Sequence, residues 1–316
     1  MNIVLLEPLG ISEAHLNDLA KTLTDRNHRF TAYDSVTEDP KELAARMQGA
    51  DAVILANHPL PAAAINASET LKFISVAFVG IDHVDIGACR AGNIRIANTG
   101  GYCDDAVAEL SVGLALDCLR NITACHQAVQ SGRGKAGLQG HELAGRTVGI
   151  VGTGAIGCRT AEVFLAFGCR LIGYSRSQRK RALDLGLEYM SLQDVMRTAD
   201  IITIHTPLTP ETRGLIGAEE IALMKQGAIL INTSRGPVVD TAALAEALNA
   251  GRICAGIDVY ESDPPLPQDH PLMGAENLVC TPHVGFDTRE SIDRRADMAF
   301  ENVIAWAEGR PVRLML

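Results

Sequence analysis

Short runs rich in Ile, Val and Leu recur along the chain, and they are apolar on both faces instead of alternating apolar with polar. A strand with one wet face alternates. A strand apolar on both faces must be covered on both, as parallel strands are when helices pack above and below them. The early runs are "NIVLLEP", "DAVILAN", "LKFISVA" and "IRIAN"; the later ones are "RTVGIVG", "CRLIGYS", "DIITIHTP", "AILINTS", "CAGIDVY" and "NLVCTPH". Helical patterns separate them. At 316 residues the chain is long enough for two cores. The pattern therefore predicts an α/β protein with two doubly wound parallel-sheet domains.

Between the two groups runs a helical pattern that Asp104 or Asp105 can cap. Val107, Leu110, Leu114, Cys118, Ile122, Cys125 and Val129 follow at steps of three or four, and Gly132 and Gly134 end it. It reads as one long helix connecting the domains. The stretch "SGRGKAGLQGHELAGR" after it reads as an exposed loop or arm.

Composition removes several classes of function. The net charge is -10 and aromatics make up only 4%. Neither a basic footprint nor a stacking platform for nucleic acid is present. The start "MNIVLLEPLG" lacks a basic n-region and reads as a first strand, and no apolar run approaches a membrane span. The Cys residues at 89, 103, 118, 125, 158, 169, 254 and 280 are scattered and form no C-x-x-C pair. They read as reduced thiols of a cytoplasmic protein, and no His/Cys/Asp cluster has metal-ligand spacing, so no metal is expected.

"TVGIVGTGAIGCRTAEVFLAFG" places Gly152-x-Gly154-x-x-Gly157 between a strand and a helix whose apolar side is read as Ile156, Val163, Phe164 and Phe167. In that context the motif predicts a dinucleotide site. Gly152 permits the tight turn, Gly154 lets the backbone approach a pyrophosphate, and Gly157 lets the helix pack on the strand. The N–H groups of Ala155 and Ile156 meet the phosphate at the helix N-terminus.

At the end of the next strand, where a site selective for NAD carries Asp or Glu, stand Ser175 and Arg176, followed by Arg179, Lys180 and Arg181. Without a carboxylate nothing repels a 2′-phosphate, and a guanidinium can grip it. The stretch favours NADP(H), although Arg179, Lys180 and Arg181 alone fit a solvated first helical turn.

Three later strands carry chemistry just past their ends: Arg235 in "INTSRGPVVD", Asp258 and then Asp263 in "AGIDVYESDPP", and His283 in "VCTPHVGF". In a parallel sheet these ends share the carboxyl edge, where ligands bind. Arg to grip a carboxylate, His to carry a proton and a carboxylate to orient it make a coherent acid–base site.

The motifs "VGTGAIG", "HTPLTPETRGLIG", "INTSRGPVVD", "GIDVYESDPPLP" and "TPHVG" stand in order over nearly the whole length. By them the chain resembles the D-isomer-specific 2-hydroxyacid dehydrogenase family, in its short, glyoxylate/hydroxypyruvate reductase-like form. The resemblance implies a flavodoxin-like substrate domain from residues 1–100 and 287–316. It implies a Rossmann domain from 101–286 that includes the long helix and a dimerisation arm, with a cleft between the two domains and a homodimer as the assembly. It implies hydride transfer between NAD(P)H and a small 2-oxo acid to give a D-2-hydroxy acid. Arg235 would bind the carboxylate and the reacting oxygen, and His283 would be the acid/base. The N–H groups of Val79 and Gly80 would complete the carboxylate site. Ala155, Ile156, Ser175, Thr206, Pro207, Thr212, Thr233, Ser234, Arg235, Asp258 and His283 would face the cofactor, Asp258 toward the nicotinamide carboxamide.

Departures from the family pattern are as informative. The carboxylate paired with His is usually Glu; here it is Asp263, with Glu261 as the alternative partner. Phe286 stands where many members carry a small residue. Val79 replaces the Lys of phosphite-oxidising relatives, and Asp263 replaces the Gln of formate-oxidising ones. His83 and His58 read as rim or loop residues, His205 as a strand-end residue, and Tyr102 as a candidate substrate contact from the hinge. A dinucleotide-sensing corepressor-like protein and an inactive cofactor-binding paralogue are the alternative functions.

Overall fold

The computed structural model describes residues 1–316. The chain divides into two compact units, Met1–Cys103 with Thr288–Leu316, and Asp104–Asp287. No helix is long and apolar enough to cross a membrane.

The first unit holds five parallel strands, β1 (Asn2–Leu5), β2 (Arg29–Ala32), β3 (Ala52–Leu55), β4 (Phe73–Val76) and β5 (Arg95–Ala97), in the order β2-β1-β3-β4-β5. The order reverses between β1 and β3, which makes their carboxyl ends a switch point. The helix Arg289–Ala307 returns to this unit and lays Ala296, Ala299, Phe300 and Val303 against Ile3, Leu5, Ile54 and Phe73. Burying that face would leave polar backbone groups stranded, and Asn302 answers this. Its Nδ2 donates to Asn98 O at 2.8 Å and to Ser75 Oγ at 3.3 Å, while its Oδ1 accepts from Arg313 Nη1 at 2.8 Å.

The second unit holds seven parallel strands: β6 (Thr147–Val151), β7 (Arg170–Tyr174), β8 (Glu188–Tyr189), β9 (Ile201–Ile204), β10 (Ile229–Asn232), β11 (Cys254–Ile257) and β12 (Leu278–Cys280). Their order is β12-β11-β10-β9-β6-β7-β8, with the switch between β6 and β9.

Three sequence expectations change. β2 and β8 escape the pattern because both are sheet edges with largely exposed residues, so neither carries the two-sided apolar signature. The long helix is two helices, Asp104–Arg120 and Ile122–Gln130, broken where Asn121 takes a left-handed φ of 53°. The break is stabilised by Asp117, which accepts from Thr123 N at 2.9 Å and from Thr123 Oγ1 at 2.5 Å and so caps the second helix. Asp104 and Asp105 lie inside the first turn, where they suit the helix dipole. In the helix Ala155–Ala166 the buried face is Gly157, Cys158, Ala161 and Phe164, whereas Phe167 is exposed.

Replacing Asn302 with Ala removes the donor from a buried carbonyl. The variant is expected to lose about 1–3 kcal/mol of stability, read as a lower urea midpoint with an unchanged denaturant slope.

Candidate active site

The glycine turn is built at the switch point of the seven-stranded sheet. Gly152 takes a φ of 96° as the chain leaves β6, and a Cβ there would lie 2.5 Å from His205 O beyond β9. A Cβ on Gly157 would lie 2.0 Å from Gly152 O, so only glycine lets the helix sit this close to the turn. At Gly154 a Cβ would meet nothing within 4 Å, which leaves the helix N-terminus with Ala155 and Ile156 open to an anion. Thr206 adds a buried hydroxyl with no partner in the chain. An open anion-binding turn beside an unsatisfied buried hydroxyl fits a bound dinucleotide. His205 bonds to Thr203 Oγ1 at 2.9 Å, and burial pushes its imidazole down to about 3, so it stays neutral.

The basic stretch separates into parts. Ser175 directly follows β7, and Arg176 is exposed. Lys180 pairs with Asp184 at 2.7 Å on the surface of the next helix, and Arg181 reaches back to Glu162 of the helix Ala155–Ala166 at 2.8 Å. The Tyr189 hydroxyl joins Thr153 Oγ1 (2.7 Å) to Arg179 N (3.0 Å), tying the edge strand to both loops. Thr212 is an internal staple of its loop: its hydroxyl donates to Pro207 O at 2.6 Å and accepts from Thr209 N at 2.8 Å.

Parallel pairing sets Asn232, Ile257 and Cys280, the last residues of β10, β11 and β12, in one register. Arg235 and His283 each lie three residues beyond that row, and Asp258 one residue beyond. Asn232 is buried and organises the Arg235 turn. Its Oδ1 accepts from Ser234 N at 3.1 Å and from Ser234 Oγ at 2.9 Å, while its Nδ2 donates to Arg235 O at 3.0 Å. Arg235 Nη1 donates to Ser234 O at 2.8 Å. Thr233 turns its hydroxyl to Ser111 Oγ at 2.9 Å. A Cβ on Gly236 would lie 2.1 Å from Tyr260 C, so the turn packs directly on the chain leaving β11.

His283 has a φ of 60°, an uncommon conformation for a side-chain-bearing residue. Asp258 holds the turn in place. Wholly buried, it accepts from Thr281 Oγ1 at 2.6 Å, Val284 N at 2.8 Å and Gly285 N at 2.8 Å. His283 Nδ1 lies 2.7 Å from Asp263 Oδ1, and the imidazole meets the Phe286 ring edge-on at 5.3 Å. Glu261 is engaged elsewhere, with the Thr241 hydroxyl and with His270 Nε2 at 3.0 Å. Burial opposes its charge, but these bonds prevail and hold its carboxyl below the ordinary value.

In the first unit Val79 and Gly80 follow β4. Val79 O accepts from Asn98 Nδ2 at 2.7 Å, while the two N–H groups find no acceptor in the chain. His58 is no plain loop residue, since it pairs with the buried Glu7. Tyr102 is a core residue and not a substrate contact. It is buried against Phe78 and Arg295, and that burial raises its hydroxyl pKa.

A family model for the D-isomer specific 2-hydroxyacid dehydrogenase NAD binding domain matches residues 112–285. The chain belongs to the D-isomer-specific 2-hydroxyacid dehydrogenase family. It is 40% identical over 304 residues to a glyoxylate reductase of Aeropyrum pernix, covering 92% of this chain and 90% of that one. It is 39% identical over 230 residues to a hydroxypyruvate reductase of Thermotoga maritima, covering 72% and 74%. A crystal structure of a protein from Thermus thermophilus matches with a TM-score of 0.89 at 35% identity over 100% of both chains. As a member of this dehydrogenase family the chain takes a nicotinamide dinucleotide, and the turn from Gly152 to Gly157 with Thr206 is suited to hold it.

Asn232, Thr281 and Glu7 were absent from the sequence reading of the site. Asn232 had a legible signal, because an Asn two residues before Ser-Arg can fold back on its own backbone. Asp258→Asn replaces one acceptor oxygen with an amide that faces a backbone donor. This dehydrogenase should lose about 1.5–3 kcal/mol in chemical unfolding, with a parallel fall in kcat. Full stability in that variant would remove Asp258 as the anchor of the His283 turn.

Proposed function

We propose that the chain reduces small 2-oxo acids to D-2-hydroxy acids, with NADPH preferred over NADH. The observation that supports the reading is the shared register of three strand ends, with Arg235 and His283 each three residues past the same row and His283 paired with Asp263. The cofactor supplies a hydride to the carbonyl carbon. Arg235 binds the substrate carboxylate and the carbonyl oxygen, opposing the negative charge that grows there. His283 delivers the proton to that oxygen and, in the reverse direction, removes it. Asp263 accepts from Nδ1, which turns Nε2 toward the reaction. Val79 and Gly80 offer their unused N–H groups to the carboxylate. Asp258, whose oxygens already serve the turn, acts on the cofactor side chiefly by fixing that loop.

Ser175 and the exposed Arg176 support the NADP(H) preference, since Lys180 and Arg181 are engaged with carboxylates of their own. A homodimer is supported by the second half of the broken helix, where Ile122 and Val129 are exposed. The scattered spacing of the cysteines in apolar segments supports a reducing, cytoplasmic setting.

His283→Ala should lower kcat for glyoxylate reduction by about 10²–10⁴-fold; near-normal turnover would refute its role. Ser175→Asp places a carboxylate where a 2′-phosphate would sit. The ratio of kcat/KM for NADPH over NADH is expected to fall by about tenfold or more, and a constant ratio would reduce the basic stretch to a solvated turn.

A further inference from the structure

The loop that carries Asp263 is closed at its neck by a pair to which the proposed reaction gives no role. Between β11 and β12 the chain runs out through Tyr260, Glu261 and Asp263, continues through the prolines at 264, 265 and 267, and comes back at His270. Glu261 Oε2 and His270 Nε2 meet at 3.0 Å. Leu272 N donates to His270 Nδ1 at 3.3 Å, so in the neutral ring the proton sits on Nε2 and is given to Glu261. The imidazole stands edge-on to the Tyr260 ring, with centroids 6.2 Å apart, and its side chain is only 11% exposed.

Both sides of the neck are anchored in the second unit. Tyr260 is buried, its hydroxyl donates to Thr281 O at 3.0 Å, and Gly236 of the Arg235 turn packs on its backbone. The other Glu261 oxygen accepts from the hydroxyl of Thr241, at the start of the helix Thr241–Asn249. On the returning side Leu272 is buried in the core. The segment between has no such anchors in the core. Asp263 reaches His283 Nδ1 at 2.7 Å from a side chain that is 63% exposed. An Asp has one rotatable bond fewer than a Glu between backbone and carboxylate, so it cannot follow the imidazole if its backbone drifts. The position of the loop has to do what a longer side chain would do by itself.

We propose that the Glu261–His270 clasp is a positioning device for catalysis: by closing the neck of the loop it holds the short Asp263 carboxylate against His283. This rests on the proposed reduction of 2-oxo acids with His283 as the acid/base. Glu261 and His270 are positioning residues that act through Asp263.

His270→Leu opens the clasp. It should lower kcat for glyoxylate reduction about tenfold to a hundredfold. His270→Gln, whose amide can still donate to Glu261, should recover most of that loss. A double-mutant cycle supplies the readout that a merely structural pair would not move. In an Asp263→Ala background, His270→Leu should cost less than about twofold, because the contact through which it acts is gone. Hydrogen exchange should rise over residues 262–269 in His270→Leu while the strands keep their protection. Glu261→Ala takes its place in the same cycle if the Leu variant does not fold. An unchanged kcat in the opened variant, or costs that simply multiply with that of Asp263→Ala, would overturn the assignment. Wild-type enzyme that reduces no 2-oxo acid would instead remove the function on which it rests.

Discussion

The chemistry of the second unit rests on a carboxylate that faces no solvent. Asp258 is wholly buried and is paid for by three donors, the Thr281 hydroxyl and the amides of Val284 and Gly285. Burying an unpaired carboxylate costs several kcal/mol, so these donors are obligatory. The segment that supplies them carries His283 in a left-handed conformation. His283 therefore stands where it does because the chain around it must satisfy a carboxyl group that cannot reach water. Asn232 does for the Arg235 turn, by neutral hydrogen bonds, what Asp258 does for the His283 turn.

Asp263 contrasts with this frame. Its side chain is 63% exposed, against 19% for His283. One carboxylate is fixed and structural; the other is solvated and meets the imidazole from the water side. The shorter Asp in place of the family's usual Glu still lies 2.7 Å from the imidazole.

Much of this was legible in the sequence. Strands covered on both faces announce themselves as continuous apolar runs, so the central strands were readable and only the edge strands β2 and β8 were not. The glycine motif was readable because each glycine answers a different steric demand, visible here as a turn, an open approach and a close helix contact. The strand ends bearing Arg235, Asp258 and His283 followed from parallel topology. What sequence could not supply was pairing between segments far apart in the chain. The Glu7–His58 pair spans two loops, and the choice of Asp263 over Glu261 depends on Thr241 and His270 capturing the latter. The break at Asn121 was hidden because the apolar spacing runs straight through it, while the cap that stabilises it comes from Asp117.

The discontinuity of the first unit bears on how the protein is made. Its core joins Ile3, Leu5 and Phe73 to Ala296, Phe300 and Val303, with the whole second unit inserted between. A growing chain released residue by residue from the ribosome presents the five-stranded sheet long before the helix that covers one of its faces exists. The inserted unit can close on itself first, whereas the first to be synthesised is the last to be completed. During that interval an apolar sheet face is open to water, to chaperones and to other nascent copies. Translation speed over the inserted segment then sets how long that exposure lasts.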